Sequence, residues 1–284
     1  MPTIKYDSTP ALRHPLRLLY SMWTDLLASR DLAWRLFIRD LKARHRASIL
    51  GYLWILLPPL AITGTFLLLQ KAKVMNVGEL PVPYPLYVIT GTTFWQLFAD
   101  AVQSPLKIVN QSKSMLVKIN FPREALILTA AMETLFTFAV RISILAICLL
   151  LFHTHPSTLN SNLILLPIAI TGILIVGLSI GVLLTPFGVL FQDFSQGIPL
   201  ALSAWLIATP IAYPASQASG LLSQINQYNP LSSLIDWPRS LILSIDSSSQ
   251  FFCITITAIS IALATIAWGL FRIALPHVIS RIGS

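Results

Sequence analysis

Residues 163–190 read LILLPIAITGILIVGLSIGVLLTPFGVL, with no charged side chain anywhere in the run. Crossing about 30 Å of hydrocarbon as a helix takes roughly 20 mostly apolar residues, so this stretch is predicted to span a membrane. Ile49–Gln70, Ala125–Phe152 and Phe251–Leu275 meet the same standard. Two weaker segments join them. Val82–Ala99 holds Gly91, Thr92, Thr93 and Gln96 but stays uncharged until its end, and Gly197–Tyr213 is short and contains Pro199 and Pro210. The expectation is six transmembrane helices in an all-α polytopic membrane protein, with both termini on one side.

Composition agrees. Of 284 residues, 55% are hydrophobic and 11% charged, with a mean hydropathy of +0.74. Soluble domains carry about 25% charged residues. The deficit argues against a soluble enzyme, a disordered chain and a nucleic-acid binder, although a net charge of +8 would otherwise suggest the last. The basic excess has to be placed at a membrane surface instead. Cys148 and Cys253 lie in apolar runs and read as small buried hydrophobes rather than a disulfide pair.

Orientation follows from the cations, which favour the cytoplasmic side of short loops. With six spans and a cytoplasmic N-terminus, fifteen of the 19 Lys and Arg fall inside. Nine lie in residues 1–48, four are Lys107, Lys113, Lys118 and Arg123, and two are Arg272 and Arg281. Only Lys71, Lys73 and Arg239 fall outside, and Arg141 lies within span three. Shifting one span would put the 107–123 cluster outside, against this rule. The expected layout is a cytoplasmic N-terminal segment at 1–48, one transmembrane domain at 49–275 and a cytoplasmic tail at 276–284. No cleavable signal is expected, because the first apolar run starts only near residue 49.

Residues 31–46, DLAWRLFIRDLKARHR, have helical periodicity. Trp34, Phe37, Ile38 and Leu41 share one face, while Asp31, Arg35, Arg39, Lys42 and Arg46 line the other. Asp31–Arg35 and Asp40–Arg44 are i,i+4 pairs in the favourable order. Such a helix can lie in the membrane interface or serve as a docking surface for a cytoplasmic partner. Within span three, Glu133 and Arg141 are eight residues apart and off the same face, so each is expected to meet another helix or a transport pathway. Gly177 and Gly181 form a G-x-x-x-G suited to close helix packing, and Pro186 with Gly188 should bend the end of span four.

Other chemistry is missing. No P-loop occurs, so any ATP-driven motor would be another polypeptide. His153 and His155 read as solvated loop residues, and no metal-spaced or Ser/His/Asp set can be drawn.

Several short runs resemble one family. RDLKARHRASILGYLWILLP (39–58) resembles the start of the permease subunit of polysaccharide ABC exporters, the ABC-2 type group that exports O-antigen, capsule and teichoic acid chains. FPRE (121–124) is similar to that family's start of span three. FQDFS (191–195) is similar to its short turn between spans four and five, although this chain carries Gln192 where the usual pattern has a basic residue. Asn229–Pro230 and Trp237–Pro238 resemble its outer region before the last span.

The resemblance implies a homodimeric channel above two copies of a separate ABC ATPase, in the bacterial inner membrane. It implies a polyprenyl-diphosphate-linked polysaccharide, most simply O-antigen, moving out of the cytoplasm. This chain would bind no cofactor, with ATP and Mg on the partner subunit. The 31–46 helix becomes an interface helix, and the loop around 103–123 becomes the main coupling element. The coupling residues are then Arg35, Arg39, Lys42, Lys113, Lys118 and Asp193, with Asp193 in a smaller cytoplasmic turn. Spans one and five line the channel, which makes Tyr52, Trp54, Phe66, Trp205 and Tyr213 candidates for stacking on sugar rings. Tyr52 and Trp54 are about 200° apart on a helix, so both cannot face one surface. Residues 214–250 are expected to form short re-entrant gate helices closing the outer mouth. A small lipid or drug as substrate, and an intramembrane enzyme acting on polyprenyl-linked sugars, are the alternative readings.

Overall fold

The computed structural model describes residues 15–46, 50–74, 80–119, 121–151, 161–214, 220–245 and 249–283. His153, His155 and Asp246 lie outside the described residues, as do the side chains of Arg44 and Arg46. Every regular element described is helical. In chain order these are α1 (Pro15–Ala28), α2 (Arg30–Arg46), α3 (Leu53–Lys71), α4 (Tyr84–Gln111), α5 (Lys113–Lys118), α6 (Glu124–Leu151), α7 (Leu166–Leu190), α8 (Gln192–Ala208), α9 (Leu221–Tyr228), α10 (Pro230–Leu243) and α11 (Gln250–Gly283). A 3₁₀ turn, Ser161–Leu165, leads into α7. Among the described residues, four helices are long and apolar enough to cross a membrane: α3, α6, α7 with its leading turn, and α11.

The core forms around α4, which is not one of those four. Phe94, Leu97, Phe98, Ala101 and Ile108 are fully enclosed along it. It packs between α6 and α7, with α3, α8 and α10 completing its surroundings. Threonines are tolerated here because they bond to their own helix. Thr90 Oγ1 donates to Leu86 O at 2.7 Å and Thr93 Oγ1 to Ile89 O at 2.7 Å.

Small residues set the α4–α7 distance. A Cβ added at Gly177 would stand 2.5 Å from the Ala101 Cβ, and one at Gly181 would strike the Val102 carbonyl. The G-x-x-x-G therefore brings two helices into backbone contact, where dispersion rather than the hydrophobic effect holds helices in lipid. α7 continues as helix through Pro186 to Leu190, and Gly188 abuts Leu106.

Several boundaries differ from the sequence reading. The expected loop at 103–123 is largely helix: α4 continues to Gln111, one residue breaks it, and α5 follows. The helix accommodates Asp100 and Lys107 because each finds an opposite charge on α6, described below. α11 runs through Pro276 to Gly283, so the expected tail is an extension of the last apolar helix. The turn at 191–195 shrinks to Phe191 alone, with Asp193 in the first turn of α8. A helix not foreseen, α1, precedes α2. Residues 214–250 contain α9 and α10, the latter buried along Leu231, Leu234, Ile235, Trp237 and Leu241 against α4, α7 and α11. Asn229 caps α10 by accepting from Leu231 N at 3.1 Å. Cys148 and Cys253 are both free thiols.

Candidate coupling face and polar cavity

Charge is concentrated where α3, α4 and α6 meet. Arg141 on α6 donates from Nη1 to Asp100 Oδ2 on α4 at 2.6 Å, and Thr137 Oγ1 donates to the same oxygen at 3.0 Å. The Arg141 Nε bonds to Ile55 O at 3.2 Å, fastening the start of α3 to the pair. About two turns away, Lys107 on α4 pairs with Glu133 on α6. Glu133 and Arg141 thus do not meet each other; each reaches across to α4. Their side chains are nearly closed to solvent, and unpaired charges at such positions would be costly. Between the two pairs lies a cavity of about 310 Å³, lined chiefly by Trp54, Asp100, Gln103, Lys107, Glu133 and Arg141.

The basic end of the bundle gathers most of the nominated coupling residues. α2 packs across α6 through Ala33, Leu36 and Phe37; of the expected stripe Phe37 is buried, Ile38 and Leu41 are half-buried, and Trp34 turns out of the contact. Small Ala33 allows the close approach, and Thr129 Oγ1 on α6 donates to its carbonyl at 3.3 Å. Trp34 is left 56% exposed, its ring 5.5 Å from that of Phe37. Arg35, Arg39 and Lys42 are exposed on α2. Arg39 engages Asp40 at 2.7 Å and reaches the Met115 sulfur on α5 at 3.8 Å, so α2 and α5 touch. Lys113 shares a small crevice with Val189 near the end of α7 and Leu275 on α11, and Lys118 closes α5 in an exposed position. Asp193 is exposed at the positive end of the α8 dipole.

An ion triad ties this end together. Arg272 on α11 donates from Nη1 to Glu124 Oε1 on α6 at 3.0 Å and from Nη2 to Asp25 on α1. Three separate parts of the chain converge on one guanidinium.

The nominated aromatics do not form one surface. Tyr52 and the half-exposed Trp54 flank the start of α3, and the Tyr52 ring packs 5.8 Å from Phe136. Phe66 joins a separate cluster at the other end with Tyr84 and Tyr87. Trp205 stands edge-on to Phe98 at 5.5 Å and donates to Asn229 Oδ1 at 3.1 Å. Tyr213 accepts from Asn226 Nδ2 at 3.5 Å. Nearby, Arg239 on α10 is 2% exposed. Its guanidinium donates to the Pro210 and Ile211 carbonyls and lies 4.1 Å from the centre of the Tyr87 ring. Only glycine fits at position 91 opposite this guanidinium.

Comparison with known proteins gives this arrangement its context. No protein-family model matches the chain. The O-antigen export system permease protein RfbA of Klebsiella pneumoniae is 30% identical over 197 residues, which cover 69% of this chain and 74% of the relative. The chain belongs to the ABC-2-type polysaccharide export permeases. RfbA of Myxococcus xanthus is 26% identical over 74% of this chain and 80% of its own length. The polysialic acid transport protein KpsM of Escherichia coli is 22% identical over 73% of this chain and 80% of its own length.

Sequence reading of the permease missed four contributors: Asp100 and Lys107, which it left at or beyond a span end, and Asp25 and Glu124, which gave no periodic signal. A signal for the first two existed. Asp100 and Lys107 are seven residues apart and Glu133 and Arg141 eight, each acid first. On antiparallel helices, matching two-turn spacings pair crosswise.

Proposed function

We propose that this permease is the channel-forming subunit of an ATP-driven exporter that moves a polyprenyl-diphosphate-linked polysaccharide, most simply O-antigen, out across the bacterial inner membrane. Two copies form the channel and two copies of a separate ABC ATPase supply the energy, holding ATP and Mg outside this chain. The observation that carries the reading is the contact of α2 with α5 through Arg39 and Met115. It joins the two elements that a docked ATPase would push. Exposed Arg35, Arg39 and Lys42 beside Lys113 and Lys118 give that partner a cationic face.

Six spans are completed by α4 and α8, with both termini cytoplasmic. The length of α4, 28 residues or about 42 Å, supports this, as does the bias of Lys and Arg. α9 and α10 dip back as the outer gate, with Arg239 holding α10 to the break after α8. A hydrated glycan cannot dissolve in hydrocarbon, since each unpaired hydroxyl costs a few kcal/mol there. A polar, aromatic-flanked path removes that penalty. ATP binding would shift α2 and α5 together, and the movement reaches the spans through α6 and α11.

The experiment is affinity purification from the native membrane with identification of any nucleotide-hydrolysing subunit, combined with deletion of the permease gene. Recovery of an ABC ATPase together with intracellular build-up of lipid-linked glycan is the expected result. Purified permease that turns over a lipid-linked sugar without an ATPase would refute it.

A further inference from the structure

The cavity between α3, α4 and α6 has a donor and acceptor inventory that selects its ligand. It holds two cations and two anions, already paired, so its net charge is zero. A phosphate would need excess positive charge and a cation excess negative charge. A lipid chain would need the polar groups gone. What remains unspent is mixed. Asp100 Oδ2 takes both hydrogen bonds given to that carboxylate, and among the described residues Oδ1 takes none. Arg141 uses Nε and Nη1, leaving Nη2, and Lys107 uses one of its three donors. Gln103 spends its amide nitrogen on Ala99 O at 3.2 Å and keeps its oxygen. Free acceptors at Asp100 and Gln103 on α4 and free donors at Lys107 and Arg141 thus line the same cavity, and the Trp54 indole, 55% exposed, joins them.

A pyranose matches this set. Each hydroxyl both donates and accepts, neighbouring hydroxyls span an acceptor–donor pair, and the C–H face of the ring covers an aromatic plane. The volume, about 310 Å³, stands at the small end of ligand pockets, which run from about 300 to 1,000 Å³. Position matters too: Ile55 is in the first turn of α3 and Lys107 in the last two turns of α4, so the cavity lies toward the end of the bundle that carries the basic segments.

The geometry points to a recognition site for one neutral sugar ring, held by Asp100, Arg141, Lys107 and Gln103 against Trp54. The inference rests on the permease reading and deepens it: this cavity is where the first sugar is checked before the glycan enters the channel.

The test is saturation-transfer NMR on full-length permease in lipid nanodiscs. The probes are the methyl glycosides of glucose, mannose and galactose, with dibutyl phosphate and tetramethylammonium as charged controls. Transfer to ring protons of at least one glycoside is expected in the millimolar range. Trp54→Ala abolishes it, Asp100→Asn weakens it about tenfold through loss of one charge-assisted hydrogen bond, and Phe251→Ala, at the far end of α11, leaves it unchanged. Gln103→Ala leaves both ion pairs intact and serves if Asp100→Asn fails to fold; it too weakens transfer. Transfer that survives both Trp54→Ala and Gln103→Ala overturns the inference, as does transfer to the charged probes alone. A permease that exports glycan with its ATPase yet shows no glycoside transfer defeats this inference and spares the permease reading. Glycoside transfer without any ATPase-dependent export defeats the permease reading and leaves the cavity assigned.

Discussion

Arg272 on α11 pairs with Asp25 on α1 and Glu124 on α6, so Arg272→Met tests the architecture of the basic end directly. The substitution keeps the aliphatic bulk and removes both charge-assisted bonds. It leaves Glu124, whose side chain is 4% exposed, facing Asp25 with no cation between them. Breaking a fully buried ion pair costs about 3–5 kcal/mol. Arg272 and Asp25 each retain 18% exposure, so water screens part of the loss, and a figure of about 2–3 kcal/mol is expected. Adding Glu124→Gln removes the like-charge contact and recovers about 1 kcal/mol of that loss. Reversible SDS unfolding in mixed micelles measures both values. A second readout is local: with Asp25 released, α1 frees itself and trypsin cleaves faster after Arg30. An Arg272→Met protein within about 0.5 kcal/mol of wild type, cleaved at the wild-type rate, would refute the triad as a fastening.

Other outcomes follow from the same contacts. Gly181→Val drives a branched side chain into the α4 backbone and should cost more than about 3 kcal/mol or prevent assembly, whereas Gly64→Ala, which meets nothing within 4 Å, should be neutral or slightly stabilising; yield and thermal stability in detergent compare the two. Asp100→Arg and Arg141→Asp should each abolish folded protein, and the double exchange should recover part of it, measured by size-exclusion profile. Reversing Arg35, Arg39 and Lys42 together should uncouple ATP hydrolysis from glycan export while the protein still inserts; normal export by the triple variant would exclude α2 as a coupling helix. Cysteines at positions 107–123 should be labelled only from the cytoplasmic side, and external labelling would overturn the six-span topology.

The apolar helices were legible because hydropathy alone specifies them: α3, α6 and α7 lie within a few residues of the segments read from the sequence, and α11 starts where expected but runs on past Leu275 to Gly283. α4 was found but cut short at Ala99, since Asp100 and Lys107 look like solvated residues until α6 is placed beside them. α1 was missed for a different reason. Its buried line, Met22 and Ser29, continues into α2 as Ala33 and Leu36, spacings of seven, four and three that belong to one stripe. Two of those four are small, and a stripe made of small residues has little hydrophobic signal. Trp34 carries a strong apolar signal yet is exposed, because Ala33, Leu36 and Phe37 occupy the face turned to α6. Arg239 was read as an outer charge within the expected gate segment, without the partners that bury it. Its burial depends on carbonyls freed by the non-helical stretch after α8 and on the Tyr87 ring, neither of which sequence spacing encodes.

The enclosure of α4 bears on how the chain is made. Nearly every residue from Tyr84 to Val109 is hidden by neighbours, and the helix carries hydroxyls and paired charges that hydrocarbon would reject. On the proposed six-span topology, a segment of this kind partitions poorly into lipid by itself. It would gain its partners only when α6 brings Glu133 and Arg141 and α7 brings its glycines. The nascent chain is therefore obliged to assemble its centre late, around a helix that its own periphery must first make welcome.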